Sequence, residues 1–178
     1  MKFIILFLSF VILHYASAND FKFAPPSFVI GVKKYVFIDI TEARYRINYQ
    51  VDNNKVVVQS RLIFTVRERG YPIFDSVSKI SNLKLSAPGK TSIKVLDEEI
   101  ELPGATSKVV TINQELLPGI YSLEMDSEIR ELVSFSAQTV RSAFWMSDLS
   151  ERSFLEKYLP TNLDFDHIPM RFEIKVTG

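Results

Sequence analysis

His167 is the only histidine beyond the first eighteen residues of this 178-residue chain, and it stands in "NLDFDHIP" beside Asp164 and Asp166. With Glu173 nearby, these acids could form the carboxylate pair that glycoside hydrolysis uses, one as general acid and the other as base or nucleophile. Leu163 and Phe165 alternate with Asp164 and Asp166, however, which is the pattern of an exposed loop or strand face. Hydrolytic zinc needs about three protein ligands, commonly two histidines in H-E-x-x-H. One histidine does not supply that set, so no metal site is expected. The chain contains no cysteine, no G-x-S-x-G elbow and no glycine-rich phosphate loop. No catalytic residue is assigned.

The same C-terminal region holds the chain's one tryptophan, Trp145, within "AFWM". Its indole reads either as a binding platform or as core, since the alternation with Phe144 and Met146 turns one face inward. His167 reads as an interface residue or as a surface imidazole. Asp148 is followed by Glu151 at capping-box spacing, with Asp in the place of the usual Ser or Thr. As a cap it satisfies the first-turn N–H groups of a helix; as a ligand its carboxylate accepts charge-assisted hydrogen bonds from an ammonium group.

The elements that must position these residues are almost all strands. In 43–51 the odd positions are Ala43, Tyr45, Ile47, Tyr49 and Val51, and the even ones are Arg44, Arg46, Asn48 and Gln50. That alternation puts one face on a core and the other in water. "DNNK" supplies a turn at 52–55, and Val56, Val58, Leu62, Phe64 and Val66 continue the pattern, predicting a long hairpin. "KISNLKLS", "TSIKVL", "SKVVTIN", "GIYSLEMDS" and "LVSFSAQTV" read as further strands, while "LDEEIE" at 96–101 reads as a solvated hairpin tip. Phe154/Tyr158 and Leu155/Leu159 give one short helix, stopped by Pro160, and "MRFEIKV" closes the chain as a strand. The predicted fold is all-β: a β-sandwich or curved double antiparallel sheet with one short helix near the C-terminus.

Lys2, the apolar run at 3–13 and Ala16-Ser17-Ala18 match a secretory signal peptide over 1–18. The run is too short to span a hydrocarbon core, which needs about 20 helical residues. The expectation is a secreted or periplasmic chain of one domain, 19–178, with no membrane association after cleavage. An exported domain of this size without disulfides fits a bacterial envelope or extracellular protein. Lys plus Arg and Asp plus Glu both number 21, and no basic run points to nucleic acid.

The segment 43–66, "ARYRINYQVDNNKVVVQSRLIFTV", resembles the first hairpin of the aminopeptidase N-like zinc metallopeptidases; Tyr45, Ile47, Tyr49 and Asp52 fit, and Ser60 stands near the family's usual glycine. The segment 144–176 is similar to the end of the same N-terminal domain, where a substrate-side loop and a short helix lead into a Pro-Cys-Phe-Asp-Glu-Pro-like motif and a closing strand. Pro160, Asp164 and Met170–Val176 answer to that motif, without its cysteine. The resemblance extends over about Tyr35 to Gly178. It implies a non-catalytic N-terminal domain that packs on a catalytic domain and borders a peptide-binding cleft. Any zinc would belong to that catalytic domain, since neither H-E-x-x-H nor G-A-M-E-N occurs here. It also implies Asp148 near the substrate's amino group and Trp145, Asp164, Asp166 and His167 near the interface. The alternative is a free-standing secreted module that binds a protein partner or a peptide.

Overall fold

The computed structural model describes residues 26–74, 76, 78–101, 108–130, 133–137, 139–142, 159–161 and 168–178. Within them β1 (Phe28–Ile30) and β2 (Lys33–Phe37) precede the long pair β3 (Asp39–Gln50) and β4 (Lys55–Val66). Next come β5 (Tyr71–Phe74), β6 (Ile80–Ser86), β7 (Ile93–Lys94), β8 (Asp97–Glu101) and β9 (Lys108–Ile112). The remaining strands are β10 (Gly119–Ile129), β11 (Val133–Ser136), β12 (Thr139–Ser142) and β13 (Met170–Thr177). Sheet I has the order β1-β2-β5-β9-β8 and sheet II the order β13-β3-β4-β10-β6-β7; β11 and β12 form a separate hairpin.

The all-β expectation holds. β3 and β4 pair in register from Asp39↔Thr65 to Gln50↔Lys55, and Asn54 closes the turn at a φ of 49°, a left-handed conformation that asparagine accepts more readily than most residues. Both alternating series land inside: Ala43, Tyr45, Ile47 and Tyr49 from β3, with Val56, Val58, Leu62, Phe64 and Val66 from β4, are buried. They pack in one cluster with Val36 from β2, Phe74 from β5, Val110 and Ile112 from β9, and Leu123 and Met125 from β10, so the main core fills the space between the sheets. On the other face of sheet I, Tyr35, Ile73, Ile100 and Val109 form a smaller cluster with Phe28, Phe37 and Tyr71. Lys33 sits 5.2 Å above the Tyr71 ring and pairs with Glu98 at 3.0 Å. That hydrogen bond is the main reason the Lys33 ammonium holds its proton above the usual lysine range.

Three details differ from the sequence reading. The segment 97–101 is not a hairpin tip but β8, paired with β9 from Asp97↔Ile112 to Glu101↔Lys108. Its acids point to water and only Ile100 is buried, so the run of acids masked a strand with a single apolar anchor. "LVSFSAQTV" forms two strands, Val133–Ser136 and Thr139–Ser142, folded on each other. The sheets are also mixed, because β2 pairs with β5 and β13 with β3 in parallel. A strand arriving after the rest of the sandwich can add only at a free edge, and its direction follows from the path of its connection. The expected short helix at 148–159 falls almost wholly outside the described residues; Leu159 itself is buried in the main core.

Ile47 and Phe64 have no exposed surface. Replacing either with alanine should cost about 2–5 kcal/mol in chemical denaturation, whereas Arg46→Ala on the opposite face should stay within about 0.5 kcal/mol. The reverse ranking would mean that β3 is out of register by one residue.

Candidate functional site

Asp148, Trp145, Asp164, Asp166 and His167 all lie outside the described residues. Their described neighbours fix where this part of the chain attaches. The Tyr45 hydroxyl, buried in the core face of β3, donates to the Pro160 carbonyl at 2.7 Å, and the Ala43 amide donates to the Pro169 carbonyl at 3.2 Å. Leu159 and Thr161 have no exposed surface. Residues on both sides of 162–167 are therefore held against the first half of β3, next to the start of β13. Glu173, the third acid of the sequence reading, is on β13, where it accepts from Arg46 Nε at 3.0 Å. Among the described residues no group of three or more His, Asp or Glu side chains could hold a metal ion.

β13 continues the core face of β3 but is less covered than β3 itself. Its parallel register places Phe172 beside Tyr45, Ile174 beside Ile47 and Val176 beside Tyr49. Partnered residues in adjacent strands share a face. The Phe172 and Tyr45 rings accordingly stack at 5.4 Å. Yet the β3 members of these pairs are at most 4% exposed, while Phe172, Ile174 and Val176 are 39%, 56% and 59% exposed. Among the described residues β13 is also the last strand of sheet II on its side, so one line of its backbone N–H and C=O groups faces no described neighbour in the sheet. An apolar face on an open edge invites a covering partner.

The opposite, outward face of sheet II carries charge. Register places Arg171 opposite Arg44, Arg44 opposite Arg61, Arg61 opposite Glu124, Glu124 opposite Lys84 and Lys84 opposite Lys94. Six exposed side chains from six strands thus form one row across the sheet, with one carboxylate among five cations. The row lines a concavity of about 950 Å³, to which Arg46, Asp126 and Glu173 also contribute. A β-bulge in β6, where Leu83 and Asn82 together face Met125 of β10 between the pairs Lys84↔Glu124 and Ser81↔Asp126, bends the wall. Asn82, at a φ of 54°, donates there from Nδ2 to Asp126 Oδ2 at 2.8 Å.

Several of these charges have partners: Arg44 Nε donates to Glu42 Oε1, and Arg61 Nε donates to the Ser122 hydroxyl at 3.2 Å and lies 3.8 Å from Glu124. No run of basic residues marks this face in the sequence. Arg44, Arg46 and Arg61 already stood on the water side of the predicted hairpin. Joining them to Lys84, Lys94 and Arg171 requires long-range register, which no local pattern encodes.

No protein-family model and no curated protein matches the sequence. Among solved structures, the chain is similar to the M1 zinc metallopeptidase from Deinococcus radiodurans (TM-score 0.47, 18% identity), over 78% of this chain and 32% of that one. A mutant of a Deinococcus radiodurans M1 zinc metallopeptidase bound to a Tyr-Ser-Ala substrate gives a TM-score of 0.48 at 17% identity with the same coverage. A two-domain M1 zinc metallopeptidase mutant bound to L-tryptophan gives 0.46 at 18%. The chain therefore spans about a third of the length of these proteins, and at such values the similarity assigns no activity to it.

Like charges directly opposite on adjacent strands destabilise a sheet. Arg171 has only Arg44 beside it in the row, so Arg171→Gln should leave the fold intact and raise its stability by up to about 1 kcal/mol at low ionic strength. Urea denaturation should show the gain shrinking in high salt.

Proposed function

We propose that this chain is a non-catalytic β-sandwich domain that docks, through the face and edge of β13, on the catalytic domain of a metallopeptidase and borders its peptide cleft. The observation that carries the reading is the Phe172–Ile174–Val176 stripe, in register with the buried Tyr45–Ile47–Tyr49 series but exposed. A partner covering it would extend the core by one strand and pair the free backbone edge. Burying apolar surface contributes about 25 cal/mol per Å², which three such side chains convert into a substantial part of an interface core. The covering partner's active site would lie near the attachment of 159–161 and 168–169 to β3. In this reading the segment that includes Trp145, Asp148, Asp164, Asp166 and His167 contributes to the interface. Its role toward substrate is binding alone, with Asp148 accepting the ammonium group of a bound peptide.

The test reconstitutes the pair. The chain is mixed with a metallopeptidase catalytic domain stripped of its own N-terminal domain, and association is followed by sedimentation together with peptide hydrolysis. The wild-type chain should bind and lower KM for peptides with a free amino terminus. Ile174→Asp, which places a charge in the stripe without touching the buried core, should weaken association at least tenfold. Equal association of wild type and Ile174→Asp would overturn the docking surface. Asp148→Asn preserves a helix cap, since asparagine caps about as well as aspartate, but removes the charge. Asp148→Asn should therefore raise KM without loss of stability; an unchanged KM would leave Asp148 a cap only.

A further inference from the structure

We propose that the concave outer face of sheet II binds an acidic peptide segment of a partner protein, lying across the strands. The chain as a whole is balanced in charge, but the concavity gathers six cations against three carboxylates. Their arrangement is uneven. Arg171, Arg44 and Arg61 occupy β13, β3 and β4 at one end of the row, and Lys84 and Lys94 occupy β6 and β7 at the other, with Glu124 on β10 between them. Arg171, Lys84 and Lys94 have no ion pair among the described residues, so both ends keep cations available to a ligand. A concave shape concentrates the field of such a cluster and raises the local concentration of an opposite charge.

The carboxylates decide which anion fits. Glu124, Asp126 and Glu173 project into the same concavity, where a continuous phosphate backbone would meet them at close range. Among the described residues the one aromatic side chain at the lining, Tyr45, is buried in the core face, so these residues offer no platform for stacked bases. A peptide suits the mixture. Its acidic side chains take the guanidinium groups as bidentate partners, while its backbone N–H groups donate to the carboxylates between them. Neighbouring strands stand about 4.8 Å apart, so Arg44 and Lys84, three ladders from one another, call for ligand carboxylates roughly 14 Å apart. That is about four residues of extended chain. The expected ligand therefore has two acidic clusters separated by a short neutral spacer.

This surface is on the face opposite the β13 stripe, and its proposal stands apart from the docking reading. The probe is a fluorescein-labelled peptide, Asp-Asp-Gly-Ser-Gly-Asp-Asp, titrated against the full chain by anisotropy, with an Asn-for-Asp peptide and a short oligothymidylate as comparisons. The acidic peptide should bind, the Asn peptide at least tenfold more weakly, and added salt should weaken the complex. The double charge reversal Arg171→Glu with Lys84→Glu should reduce affinity at least tenfold with an unchanged circular dichroism spectrum. Arg69→Gln, which removes a cation outside the concavity, should leave binding unchanged, as should Ile174→Asp. Absence of binding, equal binding of the Asn peptide, or indifference to the double reversal would overturn the proposal. Tighter binding of the oligothymidylate would overturn it as well, and would assign the face to phosphate polymers.

Discussion

Everything in this fold depends on the register between β3 and β4. The two strands are twelve residues each and remain paired along their length, with one irregularity between Ile40 and Glu42. Because side chains alternate with period two, a slip of a single residue would set the apolar face of one strand beside the charged face of the other. Either Tyr45 and Ile47 would move into water with Arg44 and Arg46 buried, or Leu62 and Phe64 would do so with Arg61 buried. Burying unpaired charges costs far more than any surface contact could return. The same constraint that closes the apolar core therefore also delivers the basic row to the opposite face; the two are one decision read from two sides.

The remaining strands add to this pair at their own registers, and each addition extends both faces together. β10 contributes Leu123 and Met125 inward and Glu124 and Asp126 outward. β13 contributes an apolar stripe and the alternating series Arg171, Glu173 and Lys175. The difference between them is cover. β10 is sandwiched beneath sheet I, whereas the apolar stripe of β13 remains substantially exposed. A sheet built by accretion in this way carries its least covered surface at the strand added last, which is the surface proposed for docking.

Much of this architecture was legible because the local signals are strong. β3 and β4 alternate over the predicted hairpin, broken on the inward side only by Ser60, and an asparagine-containing turn joins them, so face assignment followed directly from the residues. β8 was missed because four of its five residues are acidic, and strand formation there rests on pairing with β9 rather than on any property of Asp97–Glu101 alone. Parallel pairing of β13 with β3 was not legible either. A strand's direction and neighbours are set by the path of the chain through space, and "MRFEIKV" alternates equally well in either direction. The basic row failed to appear for the same reason. Its members are distant in sequence, and the composition averages them against acids that fold elsewhere. The residues singled out for chemistry, Trp145, Asp148 and His167 among them, lie in a stretch whose attachment points to β3 are visible although the stretch itself is outside the described residues.

Pairing the final strand with one of the earliest has a consequence for how the protein is made. Arg46 and Glu173, neighbours across the β3–β13 ladder, are 127 residues apart. At translation rates of about 5–20 residues per second, roughly 6–25 s pass between the emergence of the two strands. During that interval the outer edge of β3 is naked, with its amides and carbonyls open to any extended chain nearby. Nascent chains on the same message, or neighbouring copies leaving the ribosome, compete for that edge before the proper strand exists. Such late closure favours slow folding and leaves a window in which a chaperone holding the edge would raise yield more than any improvement in final stability.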